Sequence, residues 1–318
     1  MSMLGDLAAR GKAGLARALA RIESHGGGAE VADLLDEAAA SPRGHVLGLT
    51  GPPGVGKSTL TDALIRAYRA RGLTVGVIAV DPSSRLSGGA LLGDRTRMRR
   101  DPGDDGVFVR SMAARERLGG LADLTYPAMV LMRALMDRVI VETVGVGQSE
   151  TAIADIADTV VCCAQPGSGD AIQYMKAGVM EIPDIVVVTK ADMGDVARRT
   201  VADLKGALGL TAGRDAMGLQ VIAVSAAREQ GLEPLVGFIE ERASGQAGDI
   251  AARRRAQDQR WLERHLAELY GQAGVARLAA CGALAPGALG ESGVFRRARS
   301  LGARLDAALD SAFPPAKK

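Results

Sequence analysis

Between Val46 and Val224 the chain alternates short, unbroken apolar runs with longer amphipathic ones. The runs Val46–Thr50, Thr74–Val80, Arg138–Val141, Thr159–Ala164, Asp184–Val188 and Leu219–Val224 are mostly apolar on both faces, as strands of a covered parallel sheet must be. Helical spacing fills the intervals, for example Ser58–Ala70 and Val196–Leu208. This alternation predicts an α/β domain with a doubly wound, mainly parallel sheet, whose ligands sit at the carboxyl ends of the strands. Outside this stretch the rhythm changes. Leu15, Leu19 and Ile22, then Val31, Leu34 and Leu35 after the Gly26-Gly27-Gly28 break, recur at helical spacing. Beyond Ile250 the strands stop. Arg253–Tyr270 predicts a charged amphipathic helix carrying Trp261, Leu262, His265, Leu266 and Leu269, and a last helix runs through Leu301, Leu305 and Leu309. The expected units are an N-terminal helical segment over residues 1–41, an α/β domain over 42–243 and a C-terminal helical arm over 244–318.

Composition narrows the classes. Of 318 residues, 47% are apolar and 24% charged, enough apolar surface to exclude disorder of the whole chain. Thirty-nine basic against 37 acidic residues leave a net charge of +2, which gives no reason to expect nucleic acid as a bulk partner. No uncharged apolar run approaches the ~18 residues a membrane span needs, so none is expected. Met1–Arg21 mixes Ala and Leu with Arg and Lys, unlike a signal peptide. Cys162, Cys163 and Cys281 are too few and too irregular for a disulfide framework, and His25, His45 and His265 have no metal-ligand spacing. A reduced, cytoplasmic protein is expected.

The chemistry begins at Gly51-Pro52-Pro53-Gly54-Val55-Gly56-Lys57-Ser58, which satisfies G-x-x-x-x-G-K-[ST] between an apolar run and a helical one. Glycines there let the backbone wrap a phosphate chain with its N–H groups inward, and the helix start adds its positive dipole end. Gly51, Pro53, Gly54, Val55, Gly56, Lys57, Ser58 and Thr59 are the candidate phosphate contacts. Lys57 suits the β- and γ-phosphates, and the Ser58 hydroxyl suits Mg²⁺.

Thr189-Lys190-Ala191-Asp192 ends another apolar run. A carboxylate at Asp192 can accept from the N1–H and 2-amino group of guanine, a donor pair that adenine lacks. The Lys190 stem can lie along the base, and Ser225-Ala226-Ala227 after the next run can meet the guanine oxygen. GTP and GDP are therefore the expected nucleotides. Mg²⁺ needs hard oxygen ligands. Glu142 ends Arg138–Val141 and opens Glu142-Thr143-Val144-Gly145, Asp81 ends Thr74–Val80, and Asp94 lies in a Gly-rich segment, so the metal candidates are Ser58, Asp81, Asp94 and Glu142. Gly145 can offer its N–H to the γ-phosphate.

Asp81-Pro82-Ser83-Ser84, Gly88–Met98 (GGALLGDRTRM), Glu142–Glu150 (ETVGVGQSE) and Gly167–Glu181 (GSGDAIQYMKAGVME) together resemble one family closely. It is the P-loop GTPase family associated with methylmalonyl-CoA mutase, which chaperones adenosylcobalamin-dependent acyl-CoA mutases and is also named LAO/AO transport system kinases or ATPases. The resemblance covers nearly the whole chain. It implies slow hydrolysis of Mg²⁺·GTP by a P-loop G domain and a homodimer arm at the C-terminus. It also implies switches at Gly88–Met98, Glu142–Glu150 and Gly167–Glu181, with Asp170 and Lys176 as polar contacts of the third. The implied partner is the mutase, with hydrolysis gating cofactor delivery. Two departures stand out. Thr189 occupies a position where the family usually has Asn. Val146 follows the second-switch glycine where Ras-like GTPases carry a water-orienting Gln, which leaves Gln148, with Lys57 and Glu142, as the catalytic candidates. Two other classes are alternatives: a nickel-insertion GTPase, which should carry Cys/His ligands near the G domain, and a kinase or ATPase of an amino-acid transport system. The mutase client itself stays open.

Overall fold

The structure, a computed structural model, describes residues 2–25, 28–82, 103–114, 124–143, 152–167, 182–211, 219–245, 247–285 and 293–312. Its strands are β1 (His45–Thr50), β2 (Val75–Pro82), β3 (Val107–Ala114), β4 (Arg138–Glu142), β5 (Thr159–Ala164), β6 (Ile185–Val188) and β7 (Gln220–Ala223). They form one sheet in the order β3-β2-β4-β1-β5-β6-β7, and each pairing is parallel. The helices are α1 (Met3–Ala9), α2 (Gly11–His25), α3 (Ala29–Ala40), α4 (Lys57–Ala70), α5 (Thr125–Leu135), α6 (Asp195–Thr211), α7 (Leu232–Ser244), α8 (Ala247–Ala280) and α9 (Val294–Ala312).

Parallel pairing sends every strand's carboxyl end to one edge, and the register aligns those ends. Leu49 lies opposite Glu142, Thr50 opposite Cys162, Ala164 opposite Val188 and Val188 opposite Ala223. The loops leaving β1, β4, β6 and β7 therefore start side by side. Alternate residues of each strand feed opposite cores. Val46, Val80, Val139, Val141 and Val160 point into an apolar cluster that includes α2, α3, α5, α8 and α9. Leu47, Leu49, Val77, Ile140, Val161 and Val187 meet Leu60, Leu64 and Tyr68 of α4 and Leu235, Val236 and Ile239 of α7. Burial on both faces is what the unbroken apolar runs required.

Helices from both ends of the chain share the first of these cores. Tyr126 stacks on Trp261 at 5.6 Å between ring centres, and Trp261 meets Phe295 at 4.6 Å. The Asp36 carboxylate of α3 accepts the Phe295 and Arg296 N–H groups at 2.9 Å each, so a side chain distant in sequence caps α9.

The structure differs from the sequence pattern in three places. Strand β3 was not expected. It lies at the sheet edge and is only partly buried, and Arg110 within it turns to Glu23 of α2, so it reads neither as an apolar run nor as clean alternation. Strand β2 continues through Asp81 and Pro82, so Asp81 is part of the strand, paired with Ala113, rather than the residue after it. Helix α8 extends well beyond Arg253–Tyr270, and it kinks at Gly271 (φ 71°), immediately after the expected end.

Candidate functional site

The phosphate-loop segment leaves β1 at the carboxyl edge and enters α4 at Lys57. Its backbone demands glycine. Gly56 has φ 108°, a left-handed value that side chains rarely adopt, and a Cβ on Gly51 (φ 135°) would stand 2.4 Å from the Cys163 carbonyl oxygen of β5. Lys57 is buried, and its Nζ donates to the Gly51 and Pro52 carbonyl oxygens at 2.8 and 3.1 Å. The ammonium is thus held inside the loop's curve, where it can meet an anion that the loop encloses.

One turn into α4, Ser58 and Thr61 share a helix face because they are three residues apart. Glu142, the last residue of β4, lies against both. The Ser58 hydroxyl donates to Glu142 Oε1 at 2.6 Å, and the Thr61 hydroxyl lies 3.0 Å from Oε2 and 3.1 Å from the Lys57 carbonyl. Glu142 is buried, so these hydroxyls offset part of its desolvation and fix its orientation. Hard oxygens from a hydroxyl and a carboxylate, at the strand edge beside Lys57, form a donor set that suits Mg²⁺. Sequence reasoning missed Thr61. The i, i+3 spacing from Ser58 was the available signal.

The Thr189-Lys190-Ala191-Asp192 segment leaves β6 and closes onto the same loop. The Thr189 hydroxyl is within hydrogen-bond distance of the Val55 carbonyl, at 2.7 Å, and of the Ala164 carbonyl, at 3.1 Å. Thr189 is buried, so its role here is to tie this segment to the phosphate loop, a task for which a hydroxyl serves in place of an amide. Lys190 holds φ 50° and ψ 44°, an uncommon left-handed conformation for a side chain of its size, and its Nζ donates to Gln165 Oε1 at 3.0 Å and reaches the Gly54 carbonyl at 3.4 Å. Gln165, directly after β5, is a second contact the sequence did not disclose. The Ser225 hydroxyl donates to Asp192 Oδ1 at 2.6 Å and holds that carboxyl below the usual carboxylate range. Asp192 is therefore an ionised, oriented acceptor at the open edge. Ser225 is buried, and its backbone pairs with Gln230, which fixes the 225–230 turn that carries Ala226 and Ala227.

Lys57, Ser58, Glu142, Thr189, Lys190, Asp192 and Ser225 thus lie along one edge, and direct hydrogen bonds join the 189–192 segment to the phosphate loop. The backbone of Asp81 lies in β2, one residue before its end at Pro82, on this edge. Asp94, Gly145, Gln148, Asp170 and Lys176, with the switch segments Gly88–Met98, 144–150 and 168–181, lie outside the described residues. Among the described residues no three His, Cys, Asp or Glu side chains group as metal ligands, and Cys162 and Cys163 are buried within β5.

Comparison with known proteins gives this edge its relatives. A solved structure described as a LAO/AO transport system kinase superposes with a TM-score of 0.64 and 27% identity, covering 96% of this chain and 99% of that one. The nickel-bound HypB of Helicobacter pylori superposes at 0.50 with 21% identity over 67% of this chain and 93% of its own, a likeness of fold alone. In sequence, a Pyrococcus horikoshii protein named as a GTPase is 59% identical over 149 residues, 46% of this chain and 47% of that protein, so the chain spans about half the length of that relative. A Caulobacter vibrioides protein also named as a GTPase is 39% identical over 264 residues, 80% of this chain and 81% of that protein. The mouse mitochondrial methylmalonic aciduria type A homolog is 39% identical over 223 residues, 68% of this chain and 54% of that protein. The family model described as methylmalonyl-CoA mutase-associated GTPase MeaB matches residues 15–276. That match starts in α2 and ends in α8, taking in the whole sheet with its phosphate-loop edge and the helices between, and the chain accordingly belongs to the family of methylmalonyl-CoA mutase-associated GTPases.

Proposed function

We propose that this chain hydrolyses GTP to GDP and phosphate with Mg²⁺, and that its nucleotide state controls an adenosylcobalamin-dependent acyl-CoA mutase, methylmalonyl-CoA mutase or a close relative. The observation that carries the proposal is the junction of Ser58 with Glu142 at 2.6 Å beside buried Lys57, on a loop hydrogen-bonded through Thr189 to the segment that bears Asp192.

Each side chain has a distinct task. Lys57 neutralises charge on the transferring phosphoryl group, and the inward N–H groups of Gly54–Ser58 cradle the phosphates. Ser58 and Glu142 hold the metal, with Asp81 and Asp94 as further candidates. Thr61 orients Glu142. Bound Mg²⁺ supplies Lewis-acid charge neutralisation at the phosphates. Asp192 accepts from the guanine edge, Ser225 orients Asp192, and the stem of Lys190 lies along the base. Gln148 is the candidate for placing water.

The family match and the mouse relative's name support the mutase as partner. Residues 42–243 are proposed as the nucleotide unit, with 1–41 and 244–318 as helical extensions. Leu269 and Leu309, 60% and 50% exposed on α8 and α9, support a homodimer arm. A cytoplasmic location belongs to the same reading.

Competition against a fluorescent GDP analogue tests the nucleotide half. GTP should win over ATP by at least about 10-fold, and Asp192→Asn should erode that preference. Equal competition by the two nucleotides would falsify it. Co-purification with candidate mutases in the presence of a non-hydrolysable GTP analogue tests the partner half, and retention of none of them would remove it.

A further inference from the structure

At the opposite edge of the sheet, the amino ends of β1 and β4 open onto a cavity of about 680 Å³. The end of α7 and the first turns of α8 complete its wall. Arg43, Arg133, Arg138, Arg254 and Arg255 line it, against the acids Glu240 and Asp258. Most of these charges answer one another. Arg43 pairs with Asp137 at 2.8 Å, Arg254 with the fully buried Asp158 at 2.7 Å, and Arg138 with Glu240.

Arg133 is the exception. It is 2% exposed, its Nε and Nη1 are buried without a hydrogen-bond partner, so only Nη2 can face the cavity, and among the described residues it forms no ion pair. Asp158 and Asp258 offset part of its charge without hydrogen-bonding it: Arg254 holds Asp158, and Asp258 accepts the Tyr126 hydroxyl while burial lifts its carboxyl above the usual range. Arg255, exposed at the rim, also forms no ion pair among the described residues. A desolvated guanidinium is costly until something accepts its hydrogen bonds, and its planar fork matches phosphate and carboxylate oxygens. The cavity is far larger than a bare oxyanion and lies in the range of small-molecule sites. Ala39, Ala40, Ile250 and Ala251 give it an apolar side.

We propose that this cavity is a second ligand site, separate from the nucleotide edge, which takes a small organic anion: its phosphate or carboxylate group meets Nη2 of Arg133 and the rim guanidinium of Arg255, and its body lies against Ala39, Ala40 and Ile250. Because the wall joins the residues before β1 to β4, α7 and α8, an occupant would bridge the N-terminal segment, the sheet and the C-terminal arm.

The test uses the full chain saturated with Mg²⁺ and a non-hydrolysable GTP analogue, so that the phosphate loop is filled. Inorganic phosphate, pyrophosphate and succinate are titrated separately by calorimetry. The expected result is saturable binding at one site per chain. Preference for the phosphates identifies a phosphate ester as the occupant class, and preference for succinate a carboxylate. Arg133→Met should weaken binding at least about 10-fold, and Arg255→Glu several-fold. Arg133→Met keeps volume and removes an unpaired buried charge, so it should fold. If it does not, Arg255→Glu reads the same site from the rim. Absence of saturable binding up to about 10 mM of all three anions overturns the proposal, as does binding that neither variant changes.

Discussion

The hydroxyl of Thr189 is the smallest group in the candidate site whose removal should be felt in two measurements. Thr189→Val preserves shape and deletes only the oxygen that lies 2.7 Å from the Val55 carbonyl and 3.1 Å from the Ala164 carbonyl. Thr189 is 5% exposed and Val55 1%, so water cannot readily take the hydroxyl's place. Losing a buried hydrogen bond and leaving its acceptor unsatisfied costs about 1–3 kcal/mol, so urea unfolding of the nucleotide-free chain should show a loss near 2 kcal/mol. A second effect separates the tie from ordinary stability. If the bond holds the base segment against the phosphate loop before nucleotide arrives, cutting it moves that ordering cost into binding. About 1 kcal/mol so displaced corresponds to roughly 5-fold weaker GDP binding by equilibrium titration. Thr189→Ser keeps the oxygen and should retain most of both quantities. A Thr189→Val chain that loses less than about 0.5 kcal/mol and binds GDP as the parent does would refute the tie.

Three further outcomes are expected. Lys57→Ala should abolish GTP turnover in a phosphate-release assay while circular dichroism shows a folded chain, because Nζ bonds only loop carbonyls and leaves no carboxylate unpaired. Glu142→Gln should raise the Mg²⁺ concentration needed for half-maximal turnover by about 10-fold or more, since a charged hard ligand becomes a neutral one; an unchanged Mg²⁺ titration would take Glu142 out of the metal site. Burial lowers the His45 pKa from 6.5 to about 4, a depressed folded value, so its contribution is fully present above pH 6.5 and drains away as pH falls toward 4. At about 1.4 kcal/mol per pH unit that window is worth on the order of 3 kcal/mol, and urea unfolding of His45→Gln should show a flatter pH dependence between 6.5 and 4.

What could be read from the sequence was what local pattern encodes. The strands carrying the phosphate loop, Glu142 and Thr189 are buried on both faces, so their apolar runs declared them, and the run before Ser225 is apolar enough to show although β7 is a half-exposed edge strand. The phosphate loop declared itself because backbone wrapping forces glycine at fixed offsets. The end of the charged helix at Tyr270 was legible, since Gly271 breaks α8 there, but the helical turns that follow Gly271 were not. What stayed hidden depended on partners far along the chain. Strand β3 is an edge strand whose Arg110 answers Glu23, and its mixed burial erased both periodicities. The Asp36 cap of α9 spans 259 residues, and Thr189 reaches across 134 to Val55. Lys190 in a left-handed conformation is likewise a tertiary outcome. Its own sequence gives no turn glycine, and the contacts to Gln165 and Gly54 set its position.

The two edges of the sheet solve opposite electrostatic problems, and that division explains where the acids lie. At the carboxyl edge Glu142 is buried and accepts from the hydroxyls of Ser58 and Thr61, and the exposed Asp192 accepts from that of Ser225. At the amino edge Asp137, Asp158 and Asp184 each stand directly before a strand, and each accepts the N–H of a neighbouring segment at 2.8 Å: Thr74, Val46 and Val160. Each is also matched by arginine, Arg43 for Asp137, Arg254 for Asp158, and Arg242 with Arg253 for Asp184. These acids serve as stitches that close the bottom of a parallel sheet, where strand N–H groups would otherwise lack acceptors. Two of the arginines, Arg253 and Arg254, come from α8, so the C-terminal helix is fastened to β5 and β6 by charge as well as by Trp261 and Leu262 in the core. Among the described residues of that edge, Arg133 is a buried guanidinium without an acceptor, a departure from the rule its neighbours follow. Asp158 and Asp258 offset part of its charge, and its Nη2 is the donor this edge leaves for the proposed ligand.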